Sequence, residues 1–404
     1  FETSTNSEEL RKVWKQSIKI GKVVAEDVLK LVKLRNEGAR SLGYKNYHEM
    51  SLLLSEQSTE ELDKVFEELD SLISDSFGNL KDEIDSHLSQ KFGIEKAELM
   101  PWHYEDKFFQ QGPKIYDINI DTFFEGKDIS KITQKFFNGI NLNIDDLLEK
   151  SDLYEKDGKY QHAYCTDINR AGDVRVLCNI KQNQRWMGTM LHEFGHAVYD
   201  KNISPKLPWQ LRIYSHIFTT EAIAMLFGRL AHNTNWLKEM INISEEEANK
   251  ISEKSFNSLR SEQLIFSRWV QVMYHFEKEM YGNPEQDLNA VWWMLVEKYQ
   301  LLKKPEGRNE PDWASKIHVA LYPAYYHNYM LGELLASQLQ EYIITKVLKE
   351  DSNLKESFVG KADVGDYLKN LFFSYGALYP WNVLIKKATG EELTPKYYAE
   401  QFVS

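Results

Sequence analysis

The feature that most constrains this chain is a run of five residues, His192-Glu193-Phe194-Gly195-His196. On an α-helix, positions i and i+4 stack one above the other on the same face. If the run is helical, its two imidazoles can reach one ion together. Composition alone gives about 0.02 such matches in a chain of this length, so the motif by itself is suggestive and its context matters. The context agrees. Trp186 to Lys201 is apolar at helical spacing, and the segment before it, Asp173 to Cys178, alternates polar and apolar like a strand. Such a strand offers an edge to which an extended peptide can add.

A catalytic zinc needs three protein ligands and an open position for water. Glu221 is the candidate third ligand, 25 residues past the second histidine. It lies in the otherwise apolar stretch Thr219-Thr220-Glu221-Ala222-Ile223-Ala224, where an unpaired carboxylate would be costly. One zinc per chain, held by His192, His196 and Glu221, is the expected cofactor; motif precedent favours zinc over manganese or cobalt. Glu193 follows the first histidine and is placed to activate water rather than to bind metal, which points to metal-assisted hydrolysis. The oxyanion of such a reaction needs further donors. Lys316-Ile317-His318, with Tyr322, Tyr325, Tyr326 and Tyr329 close behind, is the densest source of them.

The rest of the chain reads as mainly α. One long amphipathic helix is expected from Ser7 to Ser41, and a second from the Ser58–Glu61 capping box toward Phe92. Another is expected near 130–150, then Trp186 to Lys201, Tyr214 to His232, Ser244 to Gly282, Leu288 to Leu302 and Tyr325 to Lys349, with a last one opening at Thr394-Pro395. The strand at 173–178 pairs with 160–166. No linker separates independent domains, so residues 1–404 are expected to form one catalytic domain. A net charge of -12 disfavours nucleic acid and anionic membrane as partners, and no run of about 18 apolar residues marks a membrane span. Nothing in the sequence sets an oligomeric state. Cys165 and Cys178 fit two reduced thiols in a cytosolic enzyme or one disulfide in an exported one, the former favoured because a fold this large needs no staple. The chain opens Phe1-Glu2-Thr3 without an initiator Met, which leaves the compartment open and implies that something once preceded Phe1.

These residues resemble the angiotensin-converting enzyme (peptidyl-dipeptidase A) family. The likeness rests on the His192–His196 helix, Glu221-Ala222-Ile223, His162-Ala163 with the strand after them, and Lys316-x-His318 with a Tyr-x-x-Tyr. It implies a two-lobed, almost all-helical zincin fold with a deep cleft, and the release of C-terminal dipeptides from short peptides. By the same resemblance His162 and Ala163 bind substrate backbone, Lys316 and Tyr326 hold the terminal carboxylate, and His318 and Tyr329 stabilise the tetrahedral intermediate. A one-residue insertion lets Tyr325 and Tyr326 exchange roles. Four departures stand out. Asn328 replaces an arginine that binds chloride, and Met225 replaces an aspartate that orients the zinc site. Tyr104 stands near where a carboxylate-binding glutamine is expected, and the N-terminal lid helices are absent or shortened.

Three other readings compete. The thimet oligopeptidase and oligoendopeptidase family shares the metal motif but has Gly-Gly before its first tyrosine, where this chain has Ala320-Leu321. Zinc carboxypeptidases like the Taq enzyme share the chemistry and remove single residues. A non-catalytic peptide-binding module has no need of Glu193.

Overall fold

Capping residues set where the main helices begin. In the computed structural model, which describes residues 4–353 and 355–403, the Ser58 side chain accepts from Glu61 N–H while the Glu61 carboxylate accepts from Ser58 N–H. The helix Thr59–Phe92 runs from that box to Gly93, left-handed at φ 65°. Such a reciprocal cap satisfies two donors that the first helical turn leaves open. Ser244 and Glu247 repeat the arrangement before Glu245–Gly282. Phe1–Thr3, the start from which a preceding segment was inferred, lie outside the described residues.

The protein is mainly α, 64% helical, with one antiparallel pair of strands, β1 (Tyr164–Asp167) and β2 (Val174–Leu177), in the register Cys165↔Val176. No described helix is long and apolar enough to cross a membrane. Cys165 and Cys178 are free thiols.

The chain forms two compact units. One comprises Phe1–Ile115, Arg260–Met330 and Phe402–Ser404; the other comprises Tyr116–Leu259 and Leu331–Gln401. The first packs its tryptophans together: Trp14 lies 5.8 Å from Trp102 and 6.5 Å from Trp293, and Trp269 lies 5.9 Å from Trp292. In the second, the helices Gln184–Lys201 and Ile217–Gly228 lie side by side with the two strands against the former. Phe136, Phe137 and Phe227 fill the adjoining core edge to face.

Two predicted helices are broken. Ser7 to Ser41 is Ser7–Ser17 and Ile20–Ser41. The Ser17 hydroxyl bonds the Trp14 carbonyl and Lys107 takes the Ser17 carbonyl, which draws that oxygen out of a continuous helix. The helix near 130–150 is Ile129–Gly139 and Asp145–Lys150; between them Asn141 is left-handed and Asn138 Oδ1 accepts from Ile144 N–H.

Candidate metal centre

The helix Gln184–Lys201 starts at Asn183, whose side chain accepts from Trp186 N–H, and buries Met187, Leu191, Phe194 and Val198. Burying those residues turns His192 and His196 to one side. Gly195 is required by the neighbouring helix: a β-carbon there would stand 2.8 Å from Ala224 Cα. Ile217–Gly228 can therefore come close enough to present Glu221. Gly332 does the same from the far side, since a β-carbon would meet Glu221 Cβ at 3.0 Å.

The three predicted ligands converge, all within 4.8 Å of one another. His192 Nε2 and His196 Nε2 are 3.3 Å apart, and Glu221 Oε2 lies 3.7 Å from the first and 3.8 Å from the second. Ligands about 2.0–2.1 Å from a tetrahedral zinc stand roughly 3.3–3.4 Å apart, so the set fits zinc with a small movement of the carboxylate. His192 keeps 31% of its side-chain surface exposed, against 15% for His196 and 10% for Glu221, so the site is most open at His192.

The electrostatics also call for a cation. Burial raises the Glu221 carboxyl to about 8, helped by Glu193 and Glu333 nearby. Burial likewise lowers His192 to about 4 and depresses His196, which keeps both imidazoles neutral and able to ligate. Glu193 is 8% exposed and raised by burial to about 7.

Thr220 was missed by sequence reasoning. Its hydroxyl lies 2.8 Å from His196 Nδ1, orienting the ring from behind. It fills the gap expected from Met225 and could have been flagged as a hydroxyl one residue before the buried glutamate. Upstream, His162 is exposed and Ala163 half-buried, just before β1. β1 pairs only with β2 among the described residues.

The remaining predicted residues lie in the first unit and cluster among themselves. His318 is 4.9 Å from Tyr326 and 6.3 Å from Tyr329, ring to ring. Lys316 Nζ lies 5.1 Å from the Tyr326 ring and 5.3 Å from Trp269, and the Trp269 N–H donates to the Tyr326 hydroxyl at 2.8 Å. Tyr326 rather than Tyr325 is thus the neighbour of Lys316; Tyr325 packs on Tyr329 and Tyr322. Lys316 also donates to Gln110 Oε1 at 2.5 Å. Tyr104, expected near the place of a carboxylate-binding glutamine, is buried and donates to Asp85. Gln110, six residues on, is the glutamine beside Lys316.

Two histidines on one helix, a buried glutamate on the next and a second carboxylate beside the first histidine form the ligand arrangement of the gluzincin class of zinc metallopeptidases. The chain belongs to peptidase family M3, whose profile matches residues 2–404. It is 25% identical to carboxypeptidase 1 of Bacillus subtilis over 58% of this chain and 50% of that one. It is 23% identical to thermostable carboxypeptidase 1 of Pyrococcus furiosus, over 59% and 51%. With the angiotensin-converting enzyme of Mesocricetus auratus it shares 23% identity over 96% of this chain and 32% of that protein. The chain thus spans about half the length of the two carboxypeptidases.

Proposed function

We propose that residues 1–404 work as one catalytic domain that binds one zinc and hydrolyses short peptides, releasing dipeptides from their C-terminus. The observation that carries the peptidase reading is the convergence of His192, His196 and Glu221 with the buried carboxylate of Glu193 beside them. Bound zinc supplies a Lewis acid and brings the acidity of water near neutrality. Glu193 takes a proton from the attacking water and returns it to the leaving amine. His318 and Tyr329 donate hydrogen bonds to the carbonyl oxygen as it gains charge. His318 Nδ1 is buried without a hydrogen-bond partner in the described structure, which suits a group that pairs with substrate. His162 and Ala163 hold the peptide backbone at the edge of β1.

Support for recognition of the C-terminus comes from Lys316 and Tyr326, joined by Gln110: an ammonium, a phenol and an amide gathered among aromatic rings. A carboxylate is the anion such a set would hold. The carboxypeptidase names of two relatives favour a second reading, the removal of single C-terminal residues. A pair of short peptides, one with a free C-terminus and one amidated, separates the possibilities by product mass. Dipeptide loss from the free peptide alone is expected. Single amino acids would favour the carboxypeptidase, and equal internal cutting of both peptides would refute a carboxylate anchor.

A further inference from the structure

The backbone that carries Tyr325, Tyr326 and Tyr329 is held by buried polar side chains from other elements of the same unit. Gln57, in the turn before Thr59–Phe92, is 2% exposed. Its Oε1 lies 2.9 Å from His327 Nε2, and its Nε2 donates to Asn328 Oδ1 at 3.0 Å. Asn328 then donates from Nδ2 to the Tyr325 carbonyl at 3.0 Å, and its backbone N–H reaches the same oxygen at 3.0 Å. The directions are consistent: the imidazole donates to the Gln57 amide oxygen, that amide to the Asn328 oxygen, and Asn328 to the backbone.

The corner just before this point is strained. Ala324 has φ 52°, a left-handed conformation that a residue with a β-carbon seldom adopts. Its N–H donates to the buried Glu277 carboxylate at 3.0 Å, and Arg35 donates to the Ala320 carbonyl at 3.0 Å. The segment is thus held at Ala320, Ala324, Tyr325, His327 and Asn328, on both sides of Tyr326. A buried hydrogen-bonded network of this kind favours one conformation, because an alternative would leave these buried amide groups unpaired.

We propose that Gln57 is a positioning residue for the peptidase reaction: through His327 and Asn328 it sets the backbone that aims the Tyr326 and Tyr329 phenols. The catalytic meaning of this inference rests on the function proposed above, while the positioning itself can be read without turnover. The test uses the full chain labelled with 3-fluorotyrosine, with the Tyr326 and Tyr329 signals assigned through Y326F and Y329F. Gln57→Leu removes both bonds; Gln57→Glu keeps the acceptor for His327 and loses the donor to Asn328. Gln271→Leu is the control, a buried glutamine of the same unit that donates to the Phe66 carbonyl.

The two fluorine resonances are expected to move in Gln57→Leu, to move less in Gln57→Glu, and to stay in place in Gln271→Leu. On a cleavable peptide with a free C-terminus kcat is expected to fall about tenfold or more in Gln57→Leu, through Tyr329, and KM to rise severalfold, through Tyr326, with zinc content unchanged. Unmoved resonances in a folded Gln57 variant, or a loss of kcat no larger than in Gln271→Leu, would overturn the proposal. If the unsubstituted chain cleaves no peptide, the proposed function fails and the fluorine spectra still decide the positioning. Should Gln57→Leu not fold, Gln57→Glu carries the same comparison.

Discussion

Lys316 is where charge and burial compete most directly. Burial draws its pKa down to about 8, with Asp106 opposing the fall and Lys107 adding to it. Above that pH the amine loses its charge and with it the attraction for a carboxylate. KM for a peptide with a free C-terminus is therefore expected to rise as pH passes through about 8, with a smaller change in kcat. Lys316→Met is expected to raise KM about 10- to 100-fold at neutral pH, the worth of a hydrogen bond to a charged group. Initial rates across this range check both, and an amidated peptide with the same profile would count against the role. Thr220 makes a second prediction at this scale. Thr220→Val keeps the shape but removes the partner of His196 Nδ1, so zinc affinity is expected to fall about 10- to 100-fold. Competition against a chromogenic chelator measures it; an unchanged affinity would mean that Thr220 does not orient the ring.

Among the elements, the approach of Gln184–Lys201 to Ile217–Gly228 is the packing feature on which the ligand set depends. Gly195→Ala places a methyl 2.8 Å from Ala224 Cα, backbone that cannot swing aside. The expected cost is about 1–3 kcal/mol, seen as a lower melting temperature with weaker zinc binding. An unshifted melt would show that the two helices separate freely. This element pair was also the most legible part of the sequence. The apolar rhythm of 186–201 pointed to a helix, its two histidines to a metal, and an acidic residue in an apolar run to the third ligand, because these signals are local. The breaks at Ser17 and Asn141 were illegible because they depend on partners distant in sequence, such as Lys107, or on a single left-handed residue inside an otherwise helical rhythm. Gln110 escaped for a related reason. A glutamine in an irregular segment carries no periodicity, and only the fold sets it beside Lys316, 206 residues away.

For the molecule as a whole, the resemblance to angiotensin-converting enzyme raises the question of chloride. Asn328 stands where that family has a chloride-binding arginine, and its amide is engaged by Gln57 and the Tyr325 carbonyl. Hydrolysis is accordingly expected to be unchanged when chloride is replaced by acetate at constant ionic strength, and a severalfold dependence would contradict this. Peptide cleavage is expected to depend on zinc held at His192, His196 and Glu221 and on Glu193 as proton acceptor. The most direct test is to strip the metal, add zinc back in measured steps, and follow peptide hydrolysis in the unsubstituted chain and in Glu193→Gln. Activity is expected to rise linearly to one zinc per chain. Glu193→Gln is expected to bind the same zinc but turn over about 10²- to 10⁴-fold more slowly. Undiminished cleavage by the stripped protein, or full activity in Glu193→Gln, would contradict that dependence.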